Sequence, residues 1–150
     1  MNCKETKIQL LLKSAKEGNE DIFKTIPKQL KSYLNTAYDK DYLNTFLLSI
    51  KYGHLNLMIK LIDLGVRIDI RDYNPNRNAN GLHYACWYGK IDIAVYLLKT
   101  YPKIFTLDDI DNFGNTPILY SIYGGMENIM NWILNQGKSI NVSNNKGHNV

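Results

Sequence analysis

Cysteine is scarce in this chain: two residues, Cys3 and Cys86, among 150. One lies in a terminal segment and the other inside a helical pattern. That is no disulfide framework; it suits free thiols in a reducing compartment. Long apolar runs are missing too, since the longest hold a few residues where roughly 20 are needed to cross a bilayer, so no membrane insertion of this segment is expected. The opening Met1-Asn2-Cys3-Lys4 lacks the apolar core and small-residue cleavage site of a secretory signal. These absences point to a cytoplasmic chain.

Charge of one sign is not in strong excess. Eighteen Lys and Arg against 14 Asp and Glu leave +4, and the basic residues are scattered rather than striped, so nucleic acid is not an expected partner. The three histidines, His54, His83 and His148, have no ligand spacing, and no metal site is expected. Asp108, Asp109 and Asp111 lack the alternating acidic ladder and glycine of a calcium loop. No glycine loop is shaped to cradle phosphate, and no cofactor is implied. His83 and Cys86 lie three apart, yet nothing nearby supplies an orienting acid or a substrate cleft. No residue qualifies as catalytic.

What the sequence does have is a repeat. Gly53, Gly89 and Gly125 fall at steps of 36 residues (89 − 53 and 125 − 89), and Gly18 precedes them by 35 (53 − 18). Four residues before each glycine stands a small side chain: Ser14, Ser49, Ala85 and Ser121. After the later three glycines the chain carries an aliphatic stripe at helical spacing, as in Leu57, Leu61 and Ile62 or Ile93, Leu97 and Leu98. Self-similarity at this period signals a solenoid whose units cover one another's apolar faces.

The expected elements follow. Ile8, Leu11, Leu12 and Ala15 mark a first helix from Thr6 to Gly18; a second starts at Asn19-Glu20-Asp21 and meets Pro27, which distorts a helix unless it lies near an end. Asn44, Asn80 and Thr116 look like N-caps at 36-residue steps (80 − 44 and 116 − 80), with Pro117 in the first helical position. Second helices are expected over about 55–64 and 91–100, and Arg71 to Asn78 reads as a long turn-forming stretch. The domain is one array with units of about 6–36, 37–72, 73–108 and 109–142, and 143–150 reads as the start of a further repeat, so that the chain looks like a fragment of a longer protein.

Asp111-Asn112-Phe113-Gly114-Asn115-Thr116-Pro117-Ile118-Leu119, Gly81-Leu82-His83-Tyr84-Ala85, Gly53-His54 and Gln136-Gly137-Lys138-Ser139-Ile140-Asn141 together resemble the ankyrin repeat, Asp-x-x-Gly-x-Thr-Pro-Leu-His-x-Ala followed by a glycine, a second helix and a glycine turn. The resemblance covers almost the whole chain. It departs in Leu47 and Leu119 for the motif histidine, in Gly81 for the proline, and in the longer period. It implies an all-α solenoid of helix-turn-helix units joined by hairpin-like loops, with a concave face and a role in protein recognition.

In that geometry the positions five, two and one before the glycine face the groove: Leu48, Lys51 and Tyr52; Tyr84, Trp87 and Tyr88; Tyr120, Tyr123 and Gly124. Tyr84, Trp87 and Tyr88 also share a face by helical spacing, and Tyr and Trp often dominate interfaces. The alternative is that these aromatics pack between units. The loop tips, with Tyr73, Arg77 and Phe113, are a second candidate surface. The expected function is a non-catalytic scaffold or adaptor module, a monomer that binds a protein or peptide. Two other readings stand beside it: an N-terminal regulatory or substrate-recruiting domain of a larger enzyme, such as a membrane-bound palmitoyltransferase or a kinase, and a plain structural spacer.

Overall fold

Asn44 and Asn80 show how the helices begin. Asn44 accepts from the Leu47 amide at 2.9 Å, and Asn80 Oδ1 accepts from the amides of Leu82 and His83 at 3.0 and 3.2 Å, satisfying donors that a helix start leaves open. They open α5 (Thr45–Tyr52) and α7 (Gly81–Trp87). Each is followed by an outer helix, α6 (Leu55–Asp63) and α8 (Ile91–Thr100). The fourth unit repeats the pair as α9 (Pro117–Tyr123) and α10 (Glu127–Asn135).

The structure is a computed structural model that describes residues 3–139 and 143–147. The ends of the expected fourth unit and of the expected further repeat, with His148 and the Ile140-Asn141 part of the motif, lie outside the described residues. Among the described residues the fold is helical, with an isolated antiparallel bridge between Arg71 and Asn80 across the longest inter-unit loop and no named strand.

The inner helices form one row: α1 (Cys3–Glu17) packs on α5, α5 on α7, and α7 on α9. Their buried faces, with Leu11, Phe46, Leu82, Ala85 and Ile118, make a continuous core along the stack. Small residues at the repeated positions permit this spacing, and Ser14, Ser49, Ala85 and Ser121 are all buried. Gly81 stands where the motif has proline, and a Cβ there would lie 2.8 Å from Ile50 Cδ1, the end of a side chain that would have to shift. Gly18, which follows α1, is constrained both by its left-handed backbone and by the next unit. At Gly18 (φ +72°) the His54 ring of the next unit lies where a side chain would go, and His54 Nε2 bonds the Lys16 carbonyl at 2.8 Å.

Two expectations change. The second helix of the first unit is not continuous: α2 (Asp21–Lys24) is one turn, and Pro27 then opens α3 (Lys28–Lys31), followed by α4 (Tyr33–Thr36). Proline cannot continue the helix, so the chain reaches the next unit in short turns. Thr116 takes the N-cap place but its hydroxyl makes no cap bond and is buried without a hydrogen-bond partner among the described residues. Its third helical neighbour is Leu119, where Asn80 has the bond-forming His83.

Candidate functional site: the concave face and loop tips

Three aspartates organise the loops. Asp39 Oδ1 accepts from the amides of Asp41 and Leu43, and Asp111 Oδ1 from those of Phe113 and Asn115, all within 3.1 Å. Asp72 does the same work across a longer loop, taking the amides of Asn74 and Ala79. Such bonds fold a polar turn back on itself. The second oxygens reach the inner helices: the Tyr84 hydroxyl donates to Asp72 Oδ2 at 2.8 Å, and the Tyr120 hydroxyl donates to Asp111 Oδ2 at 2.8 Å. In the second unit the corresponding helix residue is Leu48, which has no hydroxyl, and Asp39 Oδ2 pairs instead with Lys16 at 2.9 Å. The aspartates were visible in the sequence, since Asp39 and Asp111 each precede their cap by five residues; the three extra residues before Asn80 hide Asp72 from the same comparison.

This latch moves part of the expected groove indoors. Leu48 is 0% exposed, Tyr84 5% and Tyr120 2%. The expectation that they face a partner is corrected: Leu48 is core, and the two tyrosines turn their hydroxyls onto buried carboxylates. Burial raises both phenols above their ordinary pKa, Asp72 and Asp111 adding to it. The edges of these helices stay open. Tyr52 and Tyr123 are 44% and 45% exposed. Tyr88 and Trp87 are half-buried, Tyr88 stacking on Tyr84 with centroids 6.5 Å apart and Trp87 meeting Tyr120 edge-on at 5.3 Å. Phe113 is an exposed tip with the Lys146 ammonium 5.5 Å from its ring. Tyr73 is half-buried, its hydroxyl donating to the Asn35 carbonyl and its ring stacked on Tyr38 at 4.7 Å.

Between the second and third units, beside α5 and the loop that precedes α7, lies a cleft of about 370 Å³. Lys51 projects into it from α5, 3.3 Å from Asp41 and over the rings of Tyr52 and Tyr88 at 5.6 and 5.4 Å. Burial works against its charge, but Tyr88, Asp41 and Tyr52 outweigh it and hold the ammonium above its ordinary pKa. Arg77 enters from the loop, its Nε donating to Asp72 at 2.8 Å and its guanidinium 5.5 Å from the Tyr84 ring. Cations over aromatic faces favour such placement. The tips themselves are bonded backbone to backbone, Tyr73 N to Tyr42 O, Asn112 N to Arg77 O and Asn145 N to Phe113 O.

Cys86 and His83 sit in structural surroundings. Cys86 is wholly buried and burial pushes its thiol pKa up, the reverse of what a nucleophile needs. His83 is buried, and burial pushes its pKa down. Its Nε2 lies 3.0 Å from the Asn115 carbonyl, and its Nδ1 lies 2.7 Å from Asn80 Oδ1 and 3.3 Å from the Asn80 amide nitrogen. Among the described residues no group of three or more His, Cys, Asp or Glu is placed to hold a metal ion, and no helix is long and apolar enough to cross a membrane.

Comparison with known proteins agrees with this architecture. A family model described as ankyrin repeats (3 copies) matches residues 11–108 and 46–145. The chain is similar to the ankyrin repeat protein nuc-2 of Neurospora crassa, 28% identical over an alignment of 140 residues that covers 89% of this chain and 13% of that protein. It is also similar to the palmitoyltransferase AKR1 of Kluyveromyces lactis, 25% identical over 117 residues, 76% of this chain and 15% of that protein. The matched region is thus a small part of either relative.

Proposed function

Because the chain belongs to the ankyrin-repeat family, whose repeats are protein-interaction modules, we propose that it is a non-catalytic, monomeric, cytoplasmic module that binds a protein or peptide along its concave side and loop tips. The observation that carries this reading is the division of labour among the aromatics. Tyr84 and Tyr120 are buried on loop aspartates and fix the inner row, while Tyr52, Tyr88 and Tyr123 stand beside them with open ring surface. A rigid frame with exposed aromatics binds at low cost in ordering entropy. The supporting test is capture from cell lysate with the parent chain and with a Tyr52→Ala, Tyr88→Ala, Tyr123→Ala variant whose folding is checked by circular dichroism. A protein held by the parent and released by the variant supports the reading; equal capture by both removes the concave face from it, and no capture by either leaves a structural spacer.

The likeness to a palmitoyltransferase favours a second reading, a regulatory or substrate-recruiting region of a larger enzyme. Membrane spans with a Cys-rich segment in a longer chain would favour the palmitoyltransferase, a kinase domain would favour a kinase, and a protein with no catalytic domain would remove the reading.

A further inference from the structure

Tyr42 has a left-handed backbone, φ 67°. The place belongs to a repeating turn: Gly114 holds it three residues after Asp111 with φ 75°, and Asn78 takes it in the longer loop with φ 58°. Glycine meets this conformation without strain and asparagine is tolerated there, but a bulky aromatic is an outlier that raises the free energy of the fold. The ring is not part of the hydrophobic core. Tyr42 is exposed, and among the described residues its one ring contact is a stack on the exposed Tyr38 at 5.9 Å. Strained residues of this kind collect where function requires a side chain in a fixed place.

Tyr42 stands on the rim of the cleft that holds Lys40, Lys51 and Arg77. Asp72 is fully covered, being taken by Tyr84, Arg77 and the Ala79 amide. The carboxylate left open at the mouth is Asp41, already 3.3 Å from Lys51. Three cations therefore face one exposed acid, and Arg77 bonds Asp72 through Nε alone, with Nη1 and Nη2 making no hydrogen bond among the described residues. A guanidinium held at one edge and open at the other suits a planar carboxylate.

We propose that this cleft seats an acidic peptide segment, a Glu or Asp of which meets Arg77 and Lys51 while an adjoining apolar side chain lies on the Tyr42 ring. The proposal rests on the recognition reading above and names the class of partner. Charge complementarity selects the ligand, and the strained tyrosine supplies a fixed shelf beside the charges.

The test is selection of random dodecapeptides on the intact chain, followed by titration of the enriched peptides against Lys51→Gln, Asp41→Asn, Tyr42→Gly and Tyr123→Ala. The expected peptides carry Asp or Glu next to an apolar residue. They bind about tenfold more weakly to Lys51→Gln and to Tyr42→Gly, and at least as tightly to Asp41→Asn, which removes the competing acid. Tyr42→Gly should melt no lower than the parent, so its lost affinity is not lost folding. Neutral or basic peptides, no enrichment, or titrations indifferent to Lys51 and Tyr42 would overturn the proposal. Enriched peptides that instead depend on Tyr123 would overturn it while sparing the general recognition reading.

Discussion

The Tyr84 hydroxyl donates to Asp72 Oδ2 at 2.8 Å, so a side chain expected on the binding face is tied into the loop that precedes its own helix. Tyr120 repeats the arrangement on Asp111. Because both partners are buried, removing the hydroxyl leaves a carboxylate short of a donor, although Arg77 and the Ala79 amide still hold Asp72. Tyr84→Phe should therefore cost about 1.5 kcal/mol in urea denaturation, and Tyr84→Ala about 3 kcal/mol or more because a core ring is lost as well. An unchanged midpoint for Tyr84→Phe would contradict the latch.

His83 makes stability depend on pH. Its folded pKa lies below the ordinary histidine value of 6.5, so the unfolded chain takes up a proton more readily. The stabilisation is complete above pH 6.5 and is lost as pH falls through the folded pKa, with a limiting slope of about 1.4 kcal/mol per pH unit. Thermal melting should decline between pH 7 and pH 5 in the parent, and less steeply in His83→Gln. Parallel declines would assign the effect to other groups.

Gly124 is required by packing and not by backbone conformation. Its φ is −78°, yet a Cβ there would sit 2.1 Å from the Trp87 carbonyl oxygen of the neighbouring unit. Gly124→Ala should destabilise by roughly 2 kcal/mol through displacement of two inner helices, whereas Gly137→Ala, open to solvent but at φ 81°, should cost about 1 kcal/mol from backbone strain alone. Equal losses at both sites would contradict the close approach.

Trp87 is partly buried against Tyr120 and Tyr123, with centroids at 5.3 and 6.5 Å. Its truncation should fall between a surface and a core change, roughly 2 kcal/mol by denaturant titration. A loss above about 4 kcal/mol would make Trp87 a core residue, and none at all would make it a free surface ring.

The helical repeat was legible because its signals are local. Caps such as Asn44 and Asn80, the recurring glycines and the aliphatic stripe of α6 each act within a few residues of themselves. The concave face was legible only in part. Helical spacing puts Tyr84 beside Tyr88 and Trp87, but which of them is buried depends on Asp72, twelve residues away across a loop of unusual length. Leu48 obeys the same register and is fully buried, since the groove position does not fix depth in the stack. In the first unit Pro27 made an irregular second helix legible, but not the three short turns into which the segment divides.

Hydrogen–deuterium exchange of the chain with and without its captured partner tests most directly where recognition occurs. The account predicts slowed exchange at the tips, residues 38–42 and 73–78, and at the C-terminal ends of α5, α7 and α9. Protection confined to the outer helices α6, α8 and α10 would contradict it.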